Sequence, residues 1–227
     1  MAELRFVPVP TMTLPARRGC SGTVEVVPHR PASTAGSRTD RHELILQAAM
    51  TCYARRGVAG TRMDDIASEA GIPRTVLYRF FAGKDALQLA VMVRHIEQRA
   101  SQLHTTHPPR GPAAPLILHA LLMGIVEPSA DRVAETVLAP EVLRDTAKLM
   151  VGSAEIADAM RAYWAPYLDH AVARGELRPG VNVAAAVQWL TTIVFLHLAV
   201  PEVVPPREVL VRQLETFVVP AVVSDPR

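Results

Sequence analysis

Residues 61 to 87 read TRMDDIASEAGIPRTVLYRFFAGKDAL. Three breaks in this stretch limit the fold more than anything else in the chain. Gly71 ends one short helix. Pro73 opens the next, at a position where its missing N–H costs nothing. Gly83 stops that helix just after Phe81, and a longer helix starts near Lys84. Met63, Ile66, Ala67 and Ala70 form the inward face of the first helix, and Val76 and Leu77 anchor the second. Two short helices joined by a Gly-containing turn make a helix-turn-helix.

The side chains left outside are basic, hydroxylic or aromatic: Arg74, Thr75, Tyr78, Arg79 and, past the loop, Lys84. A helix of about seven residues is roughly 10 Å long and fits a major groove about 12 Å wide. Arg74 and Arg79 have the donors for a bidentate pair with guanine O6 and N7. Thr75 offers a hydroxyl or a methyl to a base edge. Tyr78 and Lys84 end in donors on long side chains and suit phosphate. Thr61 is expected to cap the first helix, with Asp64 at its third position. Thr61 and Arg62 then stand where a phosphate meets a helix N-terminus.

The flanking sequence is helical throughout. Asp40 and Glu43 form a capping signature. Leu44, Ile45, Ala48, Ala49, Cys52 and Tyr53 behind them recur as one amphipathic stripe, closed by Arg55-Arg56-Gly57. After residue 85, five apolar runs read as helices, separated by Pro or Gly, with Pro166 expected to kink one of them. No stretch alternates with period two for long enough to be a strand. The fold class is all-α, with about nine helices. Residues 1–38, with prolines at 8, 10, 15, 28 and 31, read as a disordered basic arm. Residues 39–84 form the DNA-binding domain, and residues 85–227 a helical domain.

The quoted stretch resembles the DNA-binding motif of the TetR family of bacterial regulators. The agreement lies at Thr61, Ile66, Ala67, Ala70, Gly71, Ile72, Leu77, Tyr78, Phe80, Phe81, Lys84, Ala86 and Leu87. It extends over about 50 residues, from Arg41 to Val91. A weaker echo, GELRPGVNVAAAVQWL, resembles the family's link between its seventh and eighth helices. Two positions depart from the pattern: Pro73-Arg74 replaces the usual Ser/Thr-Lys/Arg, and Arg62 replaces a small hydroxyl residue.

The resemblance implies an all-α homodimer on a near-palindromic operator in double-stranded DNA. It implies a repressor released when a small-molecule effector enters the C-terminal domain, with the last two helices forming the dimer. Here those are residues 183–200 and 207–223, and Val187, Leu190, Val194, Leu210, Leu214 and Phe217 are the expected interface. The first of the two is apolar on nearly all sides and must be covered on both. His119, Met123, Met160, Tyr163, Trp164 and Tyr167 are the candidate lining of a hydrophobic effector pocket.

Charge and composition narrow the alternatives. The first 99 residues carry a net charge of +5 and the remainder −3, which suits a polyanion reader joined to something else. A non-specific architectural DNA protein leans on a Lys-rich surface and large net charge. This chain has two lysines and a net charge of +2. An all-helical enzyme is the remaining alternative. The sequence has no Gly-rich phosphate loop, no G-x-S-x-G nucleophile signature and no metal-spaced His/Cys/carboxylate set, so no cofactor or metal is expected. Cys20 and Cys52 give no disulfide framework. The most apolar window, VNVAAAVQWLTTIVFLHLAV, is interrupted by Asn182, Gln188, two Thr and His197. It reads as buried in protein, and a cytoplasmic location is expected.

Overall fold

Helical periodicity becomes helix from Arg38 onward in the computed structural model, which describes residues 38–126, 136 and 139–224. Among the described residues there is no strand, only an isolated antiparallel bridge between Leu177 and Val223. The expected N-terminal arm and the segment around Pro128 lie outside the described residues. Among the described residues eight helices come first: α1 Arg38–Gly60, α2 Met63–Glu69, α3 Arg74–Phe80, α4 Lys84–Thr106, α5 Ala113–Ile125, α6 Pro140–Val151, α7 Ala154–Ala173 and α8 Val183–Ala199. A last helical run, α9, follows over Arg207–Gln213. It widens into a π turn at Leu214–Val218 and closes at Val219–Val222. Pro220 has no N–H for the carbonyl four residues back, and the helix takes its i→i−5 turn just before it, where Val219 N–H reaches the Leu214 carbonyl.

Two expectations for α1 need correction. Its buried stripe comprises Ile45, Leu46, Ala48, Ala49, Met50, Cys52 and Tyr53, while Leu44 is exposed. Leu46 and Met50 take the inward places because α1 is covered from two directions, by α2 and by α4. Asp40 does not precede the helix as its cap either. The helix begins two residues earlier, at Arg38, and the Glu43 carboxylate pairs with Arg94 on α4. The helical geometry of α1 breaks at Gly57, whose φ of 72° lies in the left-handed region that glycine adopts freely.

Two groups of buried side chains make the core. One joins α1, α2, α3 and the front of α4 through Ile45, Tyr53, Ile66, Leu77, Leu87 and Met92. The other joins the back of α4 with α5, α7, α8 and α9 through Leu103, Ile117, Leu121, Trp164, Tyr167 and Leu190. Ile96, Met160 and Leu198 pack against both. A continuous apolar core therefore runs from the helix-turn-helix into the C-terminal helices, with α4 as its spine. The end of α9 is tied back to the turn after α7: Arg178 N–H donates to the Val222 carbonyl at 2.9 Å and Ser224 N–H to the Glu176 carbonyl at 2.9 Å. Among the described residues no helix is long and apolar enough to cross a membrane.

Candidate nucleic-acid interface

The site begins with how α2 is held. Its start is fixed by Asp65, whose carboxylate accepts from the Arg62 N–H at 2.9 Å and from Arg56 Nη1 at 2.7 Å. The backbone hydrogen bond first, and the guanidinium second, hold the Asp65 carboxyl below its ordinary value. A second ion pair, Arg55–Glu69 at 2.9 Å, ties the far end of α2 to α1. Asp64 and Asp65 also place negative charge at the positive end of the α2 dipole.

Thr61 does not do what the sequence suggests. The residue preceding α2 is Arg62, and the third helical position is Asp65. Thr61 is 1% exposed. Its hydroxyl donates inward, to the Gly57 carbonyl at 2.7 Å and at 3.3 Å to that of Cys52. It bonds to carbonyls at the end of α1, where the helix breaks at Gly57. Arg62 is exposed beside it.

Gly71, at φ 63°, turns the chain between α2 and α3. Pro73 then precedes α3 in an extended conformation, φ −61° and ψ 143°. Leu77 is fully buried and pins α3 to the core. Arg74, Thr75, Tyr78 and Arg79 are all exposed, at the i, i+1, i+4, i+5 spacing of one helix face. Arg74 is not loose on that face. Its Nη1 sits 2.9 Å from Asp64 Oδ2, its Nη2 donates to the Tyr78 hydroxyl at 3.3 Å, and its Cζ lies 5.3 Å from the centre of the Tyr78 ring. Lys84, the first residue of α4, donates from Nζ to the Ala59 carbonyl at 3.2 Å. This bond braces the end of α1 and leaves the ammonium two further donors. Arg38 joins the same region, its guanidinium 5.9 Å from the ring centre of Phe80 at the end of α3.

The C-terminal candidates are brought together between α4, α5 and α7. Met123, Tyr163, Trp164 and Tyr167 are buried, with Met160 packed against them. Both tyrosine hydroxyls are committed to backbone: Tyr163 donates to the Ala120 carbonyl at 2.9 Å and Tyr167 to that of His107 at 2.8 Å. Burial pushes the Tyr167 phenol up to about 12. The His119 ring lies 3.7 Å from that of His107. Trp164 is fully buried, and its indole N–H has no hydrogen-bond partner among the described residues. A half-open groove of about 600 Å³, missed by the sequence reading, lies elsewhere. Ala114, Leu118, Arg178, Glu215 and Val219 line part of it. Its walls meet where the end of α9 packs back onto α5 and onto the turn after α7, long-range contacts with no local signal.

The expected dimer residues divide. Leu190, Val194, Leu210 and Leu214 point into the chain's own core, and Val187 is half-buried against it. Phe217 is 72% exposed. Trp189, 45% exposed, and Leu196, 47% exposed, also stand on the surface of α8. Both stand on the outer side of a helix that is apolar all round, so the periodicity of α8 could not separate its two faces.

Comparison with known proteins agrees with this geometry. Residues 45–91 match the family model for bacterial regulatory proteins of the tetR family. The transcriptional activator FasR of Mycolicibacterium smegmatis is 39% identical over 64 residues, 28% of this chain and 29% of its own length. The transcriptional repressor KstR2 of Rhodococcus jostii is 24% identical over 166 residues, 70% of this chain and 79% of its own. A TetR-family regulator of Pectobacterium atrosepticum superposes with a TM-score of 0.57 at 18% identity, over 84% of this chain and all of its own. The family match falls on the helix-turn-helix and its flanks in α1 and α4, the helical fold superposes on that of the Pectobacterium regulator, and by motif and fold this chain is similar to the tetR family of bacterial regulatory proteins.

Proposed function

We propose that this protein is a sequence-specific transcriptional regulator that binds a near-palindromic operator in double-stranded DNA as a homodimer. A small hydrophobic effector in the C-terminal helices releases it. The observation that carries the reading is α3, a two-turn helix with one face buried through Leu77 and the other presenting Arg74, Thr75, Tyr78 and Arg79 to solvent. Its size and donors suit a major groove, with Arg62 and Lys84 at its borders placed for phosphates.

Three observations support the remainder. Trp189 and Leu196 on α8 and Phe217 on α9 leave a large apolar area uncovered on the two helices expected to pair. The buried Trp164 N–H lies among aromatic and thioether side chains and can serve an acceptor on an effector. Repression follows the longer of the two matches, since KstR2 is named a repressor and its match covers 70% of this chain. FasR, named an activator, matches over 28%.

Selection of duplexes from a randomised pool by the full chain tests the core of this reading. The enriched sequence should hold two inverted half-sites with centres one helical turn apart, roughly 34–36 Å. It should bind two chains. Enrichment of no sequence, or equal affinity for the selected and a scrambled duplex, would leave an architectural DNA protein as the better description. An effector that binds the chain must alter operator affinity reciprocally, by about 1–3 kcal/mol.

A further inference from the structure

We propose that Asp64 is a positioning residue for sequence reading: from α2, its carboxylate holds the Arg74 guanidinium of α3 in the orientation from which it meets a base edge. The inference rests on α3 being the recognition helix. An arginine side chain alone on a helix surface samples many rotamers, and each must be given up when it docks on a base. Here the guanidinium is gripped from two sides. Nη1 is 2.9 Å from Asp64 Oδ2, and Nη2 is 3.3 Å from the Tyr78 hydroxyl. Two of its five N–H groups are engaged and three remain, enough for the paired acceptors of a guanine.

The fold does not need this pair. Both side chains are about 60% exposed, and exposed ion pairs contribute little to stability. The α2 helix is already tied to α1 by Arg55–Glu69 and Arg56–Asp65. The neighbouring Asp65 has structural work, accepting from the Arg62 N–H and from Arg56. Among the described residues Asp64 bonds to Arg74 only. A carboxylate on a phosphate-facing surface repels every DNA sequence alike. Its return is selectivity, because Arg74 arrives ordered at one base and in one plane.

The test is a ratio of affinities, for a duplex selected by the wild-type full chain over a scrambled duplex, measured on each variant. The active fraction of a preparation cancels in this ratio, so partial misfolding cannot imitate the effect. Asp64→Ala should bind scrambled DNA as well as or better than wild type, and its ratio should fall by about three- to tenfold. The relaxed base preference should fall at the same symmetric position that Arg74→Ala relaxes. In an Arg74→Ala background, Asp64→Ala should leave the ratio unchanged. An unchanged ratio in the wild-type background overturns the inference. So does a drop that persists without Arg74, or a change of preference at another position, which would make Asp64 a base contact itself. If the wild-type chain selects no duplex, the regulator reading has failed and this inference falls with it, before any variant is compared.

Discussion

The Glu176 carboxylate accepts a hydrogen bond from the Ala113 N–H at 2.6 Å, across 63 positions of sequence. Ala113 opens α5, and Pro112 before it has no side chain able to cap. Glu176 therefore serves as the cap from a distant turn, buried, with Arg174 Nε at 2.7 Å on its other oxygen. The Ala113 hydrogen bond first, and Arg174 second, hold the Glu176 carboxyl below its ordinary value. A depressed carboxylate stabilises the fold above the unfolded value of about 4.5. That stability is lost as pH falls through the lower folded value. Glu176→Ala should cost about 1–3 kcal/mol at neutral pH, the cost of a buried N–H left unpaired. The gap between variant and wild type should narrow as pH drops below about 4.5. Urea unfolding at a series of pH values measures it, and a gap that widens in acid would contradict the assignment.

Thr61 gives a second prediction because its two possible roles separate cleanly. Its hydroxyl donates to the Gly57 and Cys52 carbonyls from a buried position. Thr61→Val preserves shape and removes only the hydroxyl, so it should lower stability by about 1–2 kcal/mol. Operator binding at temperatures where the variant is folded should keep its salt dependence. A salt slope reduced by about one unit per site would restore Thr61 to the phosphate contacts.

The helix-turn-helix was legible because its signals are local. Gly71, Pro73 and Gly83 punctuate it, and Leu77 is fully buried while Arg74, Thr75, Tyr78 and Arg79 around it are exposed. Thr61 was misread because a Thr before a helix looks the same whether its hydroxyl faces forward to α2 or back to Gly57. The division of α8 into a buried and an exposed face was half legible. The helix's all-round apolar character required two covered faces, but Leu190 and Trp189 are adjacent in sequence, and only the packing of α5, α7 and α9 shows which is inside. The Arg74–Asp64 pair, ten positions apart on different helices, depends on the angle set at Gly71 and has no periodic signature.

That division on α8 predicts opposite outcomes for neighbouring residues. Leu190→Ala removes a fully buried side chain and should cost about 2–5 kcal/mol of stability. Trp189→Glu and Phe217→Glu alter exposed positions and should leave helix content unchanged. Together they should shift the protein to monomer in sedimentation at micromolar concentration, because a charge in an apolar interface is costly. If the double variant sediments as wild type does, these residues do not form the dimer interface.

The last prediction sets Arg74 against Lys84. Arg74 stands on the outer face of α3 with three N–H donors uncommitted, and we assign it to a base edge. Lys84 lies beyond the loop at the start of α4, one donor spent on Ala59 and two available to a phosphate. The two should fail differently. Arg74→Ala should cost roughly 1–3 kcal/mol on the selected operator, relax preference at one symmetric position, and change scrambled binding much less. Lys84→Ala should weaken operator and scrambled DNA alike and flatten the salt dependence by about one unit for each phosphate no longer neutralised. It also removes the brace on Ala59, an exposed hydrogen bond worth about 0.5–1.5 kcal/mol, so its unfolding midpoint should fall slightly while the protein stays folded during the titration. Titrations of both variants on both duplexes at several salt concentrations decide the matter. If Arg74→Ala lowers both affinities by the same factor, Arg74 holds the backbone and base reading passes to Thr75 and Arg79.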